Sequence, residues 1–304
     1  MCGVMTFIRK SLSILFLLFL SSRLLALETG LPSVIVLSDH IVNVVAVDLH
    51  KGLFSLLEHK DGELSLVKTV PTSIGKQGFD KFYEGDKKTP IGIYKIVDYK
   101  PDNAIGAKYG IAAFPLDYPN VWDQKRSRTG SGIWIHGMYK EMTSRPKRDS
   151  DGCIVLNNDD LYSIFDQLLD KNTPVILAEN APLEELIKTN SNDGFVDVFD
   201  NWISTWESRD IDKYLDFYSA DFDNKGKNFS QWAAHKRRVN RQKTFIDVDV
   251  KKLSVFDYPS EENLRLVEFY QDYQSNNYNS AAWKRQFWSQ TDGNWQIVYE
   301  DTYR

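Results

Sequence analysis

Two cysteines, Cys2 and Cys153, are all that 304 residues contain, so no framework of several disulfides holds this chain together. Histidine is nearly as scarce. His40, His50, His59, His136 and His235 show no metal-ligand spacing, and no metal or other cofactor is expected. Basic residues are not in excess: 37 Lys and Arg face 42 Asp and Glu, a net charge of −5, which argues against general nucleic-acid binding. Long apolar runs are missing apart from Leu12–Leu20, which Ser21, Ser22 and Arg23 cut short of the roughly 20 residues a membrane-spanning helix needs. No internal repeat or low-complexity segment occurs.

That single run has the layout of an export leader. Arg9 and Lys10 precede it and the small Ala26 follows, which predicts a signal peptide over 1–26 and a periplasmic protein, with an uncleaved membrane anchor as the alternative. Cys2 lies ahead of the run and leaves with it, so Cys153 is the one thiol of the mature chain. Outside the cytoplasm an unpartnered thiol is kept for reactivity. A cysteine of ordinary pKa, roughly 8.5, is only a few per cent thiolate at neutral pH and needs a base. His136, in Ile135-His136-Gly137, lies seventeen positions upstream of Cys153 and is the candidate.

The chain changes character over 181–193, where Pro182, Asn190, Ser191, Asn192 and Asp193 mark a linker. From 33 to 180, short β-type runs recur at 33–37, 42–48, 52–59, 63–73, 92–98, 132–136 and 174–179, with one helix expected over 158–169. A mostly-β domain follows. From 194 to 304, Phe195, Phe199, Trp202 and Trp206 stripe a long helix, Ile211, Tyr214, Leu215 and Tyr218 a second, and Trp232 marks a third. Alternating runs at 244–256, 263–273, 281–290 and 295–303 complete an α+β layout. Trp202, Trp206, Trp283, Trp288 and Trp295 read as core residues first and sugar-stacking platforms second. Lys236, Arg237, Arg238, Arg241 and Lys243 read as a solvated helix face or a site for an anionic partner. Glu84, Asp86 and Lys88 read as exposed hairpin charges.

Lys88-Thr89-Pro90-Ile91-Gly92 with upstream Ser73-Ile74-Gly75, then His136, then Ser150-Asp151-Gly152-Cys153 through Asn157, together resemble the L,D-transpeptidase (YkuD-type) catalytic domain, a β-sandwich with a short helix. The resemblance implies Cys153 as nucleophile, His136 as base and Gly137 as the residue whose carbonyl holds the imidazole N–H. It also implies that Gly152, Ser150 and Asp151 face the substrate, with the amides of Gly152 and Cys153 as oxyanion donors. Two departures stand out. Asp151 replaces a histidine, and Val155 replaces an arginine; Arg145, Lys147 or Arg148 in the preceding loop is then expected to supply the lost charge. Residues 194–304 resemble the nuclear transport factor-like cone fold.

The resemblance implies peptidoglycan stem peptides as substrate, cut ahead of the terminal D-alanine. The whole layout is similar to that of the cell-shape L,D-carboxypeptidases, which trim tetrapeptides to tripeptides, with the C-terminal domain positioning stems or glycan strands. Two alternatives remain open: an L,D-transpeptidase making 3-3 cross-links or anchoring proteins to the wall, and a non-catalytic peptidoglycan-binding module.

Overall fold

A computed structural model describes residues 32–187 and 193–303; the leader expected at 1–26 and the centre of the expected linker lie outside the described residues. The first domain is a sandwich of two sheets. One has five strands in the order Glu63–Pro71, Leu53–Lys60, Asn43–Asp48, Pro174–Ala178 and Gly92–Lys95. The other has four, in the order Ile154–Leu156, Trp134–Gly137, Ala112–Pro115 and Lys100–Pro101. Val45, Val47, Phe54, Leu56, Phe114, Ile135, Ile154 and Leu156 fill the space between them.

The strand Asn43–Asp48 is buried at every position, and its side-chain alternation explains why. Val45 and Val47 face the sandwich core, whereas Val44 and Ala46 face a second core that includes Ile93, Ile176, Tyr258, Leu264 and Phe287. The outer face of the five-stranded sheet is therefore covered by the C-terminal domain. A continuous apolar strand is what this double burial requires.

The C-terminal domain is a seven-stranded sheet curled around the helix Phe195–Glu207. Phe195, Phe199 and Trp202, spaced at helical intervals, pack on Phe269 and Trp288 of the sheet. Two further helices, Ile211–Asp216 and Phe229–Asn240, flank it. Trp202 and Trp288 are fully buried and Trp206, Trp283 and Trp295 half-buried, so the tryptophans serve mainly as core.

Four expectations are corrected. Val34–Val36 pairs with Ile246–Asp257, with Val34 opposite Phe256, so this strand belongs to the C-terminal sheet although the sequence reading counted residues from 33 with the first domain. Alternation reveals a strand but not its partner. The expected linker contains the helix Leu183–Ile187, whose Leu186 is buried in the interdomain core. The helix expected over 158–169 breaks at Ile164, where φ is −121°, into Asn158–Ser163 and Phe165–Leu169. Asp86 is buried rather than exposed, in an ion pair with the equally buried Lys81 at 2.8 Å.

Candidate active site

His136 and Cys153 are brought together by two adjacent parallel strands, Trp134–Gly137 and Ile154–Leu156, in which Val155 lies opposite His136. Ile135, Ile154 and Leu156 point into the sandwich core. Alternation then turns His136 to the opposite face, and Cys153 enters that face at the end of its strand, level with Trp134. The thiol lies 3.5 Å from the carbonyl oxygen of Gly132, and the backbone of Trp134 faces the sulfur closely enough to favour its thiolate form. Both His136 and Cys153 feel the positive charges of Arg145 and Lys108.

The imidazole is oriented by backbone. Its Nδ1 sits 2.5 Å from the carbonyl oxygen of Gly137, and two acceptors at that distance would repel, so Nδ1 carries the proton and Nε2 presents a lone pair. Tyr109 meets the ring edge-on at a centroid distance of 5.0 Å and also packs on Trp134. Burial lowers the His136 pKa to about 4, with Arg145 and Lys108 adding to the fall against the opposing Gly137 bond. Burial likewise pushes the Cys153 thiol up, opposed by the Trp134 backbone. The resting pair is therefore neutral thiol and neutral imidazole, whereas the sequence reading had the imidazole correcting the low thiolate fraction of a free cysteine.

The loop carrying Cys153 is pinned from two sides. Ser150 Oγ donates to the Cys153 carbonyl (2.7 Å) and accepts from the Gly152 amide (3.1 Å). The Thr89 hydroxyl accepts from the Gly75 amide (2.9 Å) and donates to the Gly152 carbonyl (3.0 Å). Gly152 has φ +128°, and a Cβ there would sit 2.7 Å from the Lys88 carbonyl oxygen, so neither conformation nor space admits a side chain. Because the Gly152 amide is engaged by Ser150, its expected role as an oxyanion donor is not available in this arrangement.

Gly137 is confined as tightly. A Cβ would lie 2.2 Å from Asn158 Oδ1, while Asn158 Nδ2 holds the Met138 carbonyl at 2.9 Å. Gly137→Ala is therefore expected to cost about 2 kcal/mol of stability by overpacking, measurable as a lowered denaturant midpoint at unchanged slope.

The expected substrate contacts are distributed unevenly. Arg145 is close enough to act electrostatically on His136 and Cys153 and is held by Asp149, through Nε to Oδ2 at 3.1 Å and Nη2 to the carbonyl at 2.6 Å. It also lines a cavity of about 350 Å³ with Ser73, Met138, Lys147 and Val155. Asp151 is exposed and pairs with Lys76 at 3.4 Å. Arg148 is exposed, with its guanidinium over Gly78. Ser150 is buried and acts within the loop. Thr89, Lys108, Tyr109, Gly132 and Trp134 were not read as site residues. Thr89 stood inside a legible motif, but its hydroxyl bridge joins segments 63 residues apart.

A second cavity, of about 620 Å³, opens in the C-terminal domain between the Phe229–Asn240 helix and the sheet. The ammonium of Lys236 is enclosed there by the rings of Trp232 (4.4 Å), Trp206 (4.6 Å) and Tyr214 (5.3 Å). Lys243 is buried beside it, donating to Ser275 at 2.8 Å, and Lys284 pairs with Glu300 at 3.3 Å. The run of basic residues thus splits: Arg237 stays on the surface with Asp212, while Lys236 and Lys243 turn inward.

Residues 43–177 match the family model of the L,D-transpeptidase catalytic domain, and residues 195–301 match that of the Cds6 C-terminal NTF2-like domain. No curated protein sequence matches the chain. Among solved structures, Bd1075 of Bdellovibrio bacteriovorus is similar at 26% identity and a TM-score of 0.74 over 89% of this chain and 96% of that one. The helical cell shape determining protein Pgp2 of Campylobacter jejuni is similar at 26% identity and a TM-score of 0.72 over 88% of this chain and 95% of that one. The two domains, each matched by its own family model and arranged as in these structures, show that this chain carries an L,D-transpeptidase (YkuD) catalytic domain followed by a C-terminal NTF2-like domain.

Proposed function

We propose that this protein is a periplasmic peptidoglycan L,D-carboxypeptidase that trims tetrapeptide stems to tripeptides and thereby acts in cell shape. The observation that carries the reading is the His136 Nδ1 bond to the Gly137 carbonyl, which leaves Nε2 as a free base on the strand beside a partly exposed thiol. When a stem peptide docks, Nε2 takes the proton of Cys153 as the sulfur attacks the carbonyl ahead of the terminal D-alanine. The imidazolium then protonates the departing amine, and a thioester remains. Water, deprotonated by the same Nε2, releases the tripeptide. Arg145, fixed by Asp149, is placed to meet a substrate carboxylate where Val155 has replaced the usual arginine.

Hydrolysis rather than cross-linking is favoured by the altered cysteine motif, and the role in cell shape by the two-domain layout shared with the helical cell shape determining protein Pgp2. Incubating the protein with tetrapeptide muropeptides and separating the products tests this. Tripeptides with free D-alanine are expected; cross-linked dimers without tripeptide would establish the transpeptidase, and binding without any product would establish a wall-binding module.

The C-terminal cavity suits a piece of the wall, with the half-buried Trp206 and the exposed Tyr278 as rings for a glycan strand and lysines for carboxylates. Burial lowers the Lys236 pKa to about 8, against the pull of Glu300, so its charge is present below that pH and lost above it. Lys236→Met is expected to weaken retention on purified sacculi about tenfold while leaving kcat on soluble muropeptides unchanged. In the unmodified protein retention should fall as pH rises through about 8.

A further inference from the structure

The segment joining Ala112–Pro115 to Trp134–Gly137 touches the C-terminal domain at one end and the nucleophile at the other. At its start, the helix Val121–Lys125 lies against the C-terminal domain. Trp122 stacks on Phe287 at 4.8 Å with an interplanar angle of 19°, and its Nε1 donates to Glu261 at 2.9 Å. Arg126 grips both oxygens of Glu261, through Nε at 2.8 Å and through Nη2. Asn120 donates to the Tyr258 hydroxyl at 2.8 Å, and Lys125 to the Asp221 carbonyl at 3.0 Å.

From Arg126 the chain needs only six residues to reach Gly132, whose carbonyl accepts from the Cys153 thiol at 3.5 Å, and two more to reach Trp134, whose backbone faces the sulfur and favours its thiolate form. The stretch between is anchored on the Asp80–Asp86 loop. Arg128 donates to Asp80 and to the Lys81 carbonyl, both at 2.6 Å, and the Thr129 amide donates to the Phe82 carbonyl at 3.0 Å. That loop runs on to Thr89, which holds the Gly152 carbonyl. Two backbone groups on the sulfur and one pin of its loop thus belong to segments tied directly or at one remove to Glu261.

We propose that the C-terminal domain is part of the catalytic centre, with Glu261 as a positioning residue that sets the Gly132 carbonyl and the Trp134 backbone against Cys153. The pair Glu261–Arg126 is partly exposed, so its loss affects global stability little. Its effect falls on the thiol, because the Trp134 backbone favours the thiolate. Loosening it raises the thiol pKa and misplaces the nucleophile by fractions of an ångström, enough for a large rate loss.

The inference rests on Cys153 being the nucleophile and is tested on the full chain with Glu261→Gln and Trp122→Phe, the latter keeping a ring on Phe287 but dropping the bond to Glu261. Expected are a kcat on soluble tetrapeptide muropeptides lowered about tenfold at unchanged KM, and slower iodoacetamide alkylation of Cys153 with its pH profile displaced upward, at near-wild-type melting temperature. Unaltered alkylation profiles in both variants would overturn the proposal, as would a raised KM at unchanged kcat. Failure of the underlying reading looks different: alkylation of the unmodified protein would then leave its activity intact.

Discussion

Replacing Cys153 by serine is expected to abolish stem-peptide processing, lowering kcat by on the order of 10⁴ or more while KM changes little. The size of the effect follows from the base. With its pKa lowered to about 4, the His136 imidazole is a weak proton acceptor. It can assist a thiol, whose proton leaves far more readily than an alcohol's even when burial raises its pKa and whose sulfur is nucleophilic, but an alcohol is several units less acidic and stays protonated. The hydroxyl would keep the donor role toward the Gly132 carbonyl, so the fold should hold to within about 1 kcal/mol, and thermal melting separates lost chemistry from lost structure. Mass spectrometry of the wild type mixed with a tetrapeptide should show an acyl adduct on Cys153 that is absent from the serine variant. A variant retaining more than about one per cent of wild-type turnover would remove the thiol from the mechanism.

The architecture was legible where local pattern and structure coincide. Phe195, Phe199 and Trp202 announce their helix because a 3.6-residue period has one structural meaning, and the β-branched run at 42–48 announces the strand Asn43–Asp48. That His136 and Cys153 lie side by side was legible because residue type, order and spacing are all local to 135–157. What escaped depends on contacts far apart in sequence. Val34–Val36 looks like any strand, and only its pairing with Phe256 assigns it to the other domain. Lys236 sits in a run of cations that suggests solvent, yet the rings enclosing it come from Trp206, Tyr214 and Trp232. The neutral state of the thiol and imidazole was equally hidden, since desolvation is a property of the packed site and not of the two residues.

His136→Gln is expected to lower kcat/KM by about 10² to 10⁴, the usual worth of a positioned base, and the pH dependence identifies the cause. In the unmodified protein the acid limb of kcat/KM should fall near pH 4, where Nε2 becomes protonated, and not near the ordinary histidine value of 6.5. Stability carries the same signature. Between pH 6.5 and about 4 the unfolded chain binds a proton at this histidine and the folded one does not. The contribution of the neutral imidazole is thus fully present above pH 6.5, declines on acidification and levels off below about 4, by a total on the order of 3 kcal/mol for a fully buried group. Glutamine has no proton to bind, so the variant should lack this part of the acid decline. Chemical denaturation of both proteins at pH 7 and pH 4.5 makes the comparison, and equal losses in the two would mean that the imidazole is not held neutral by burial.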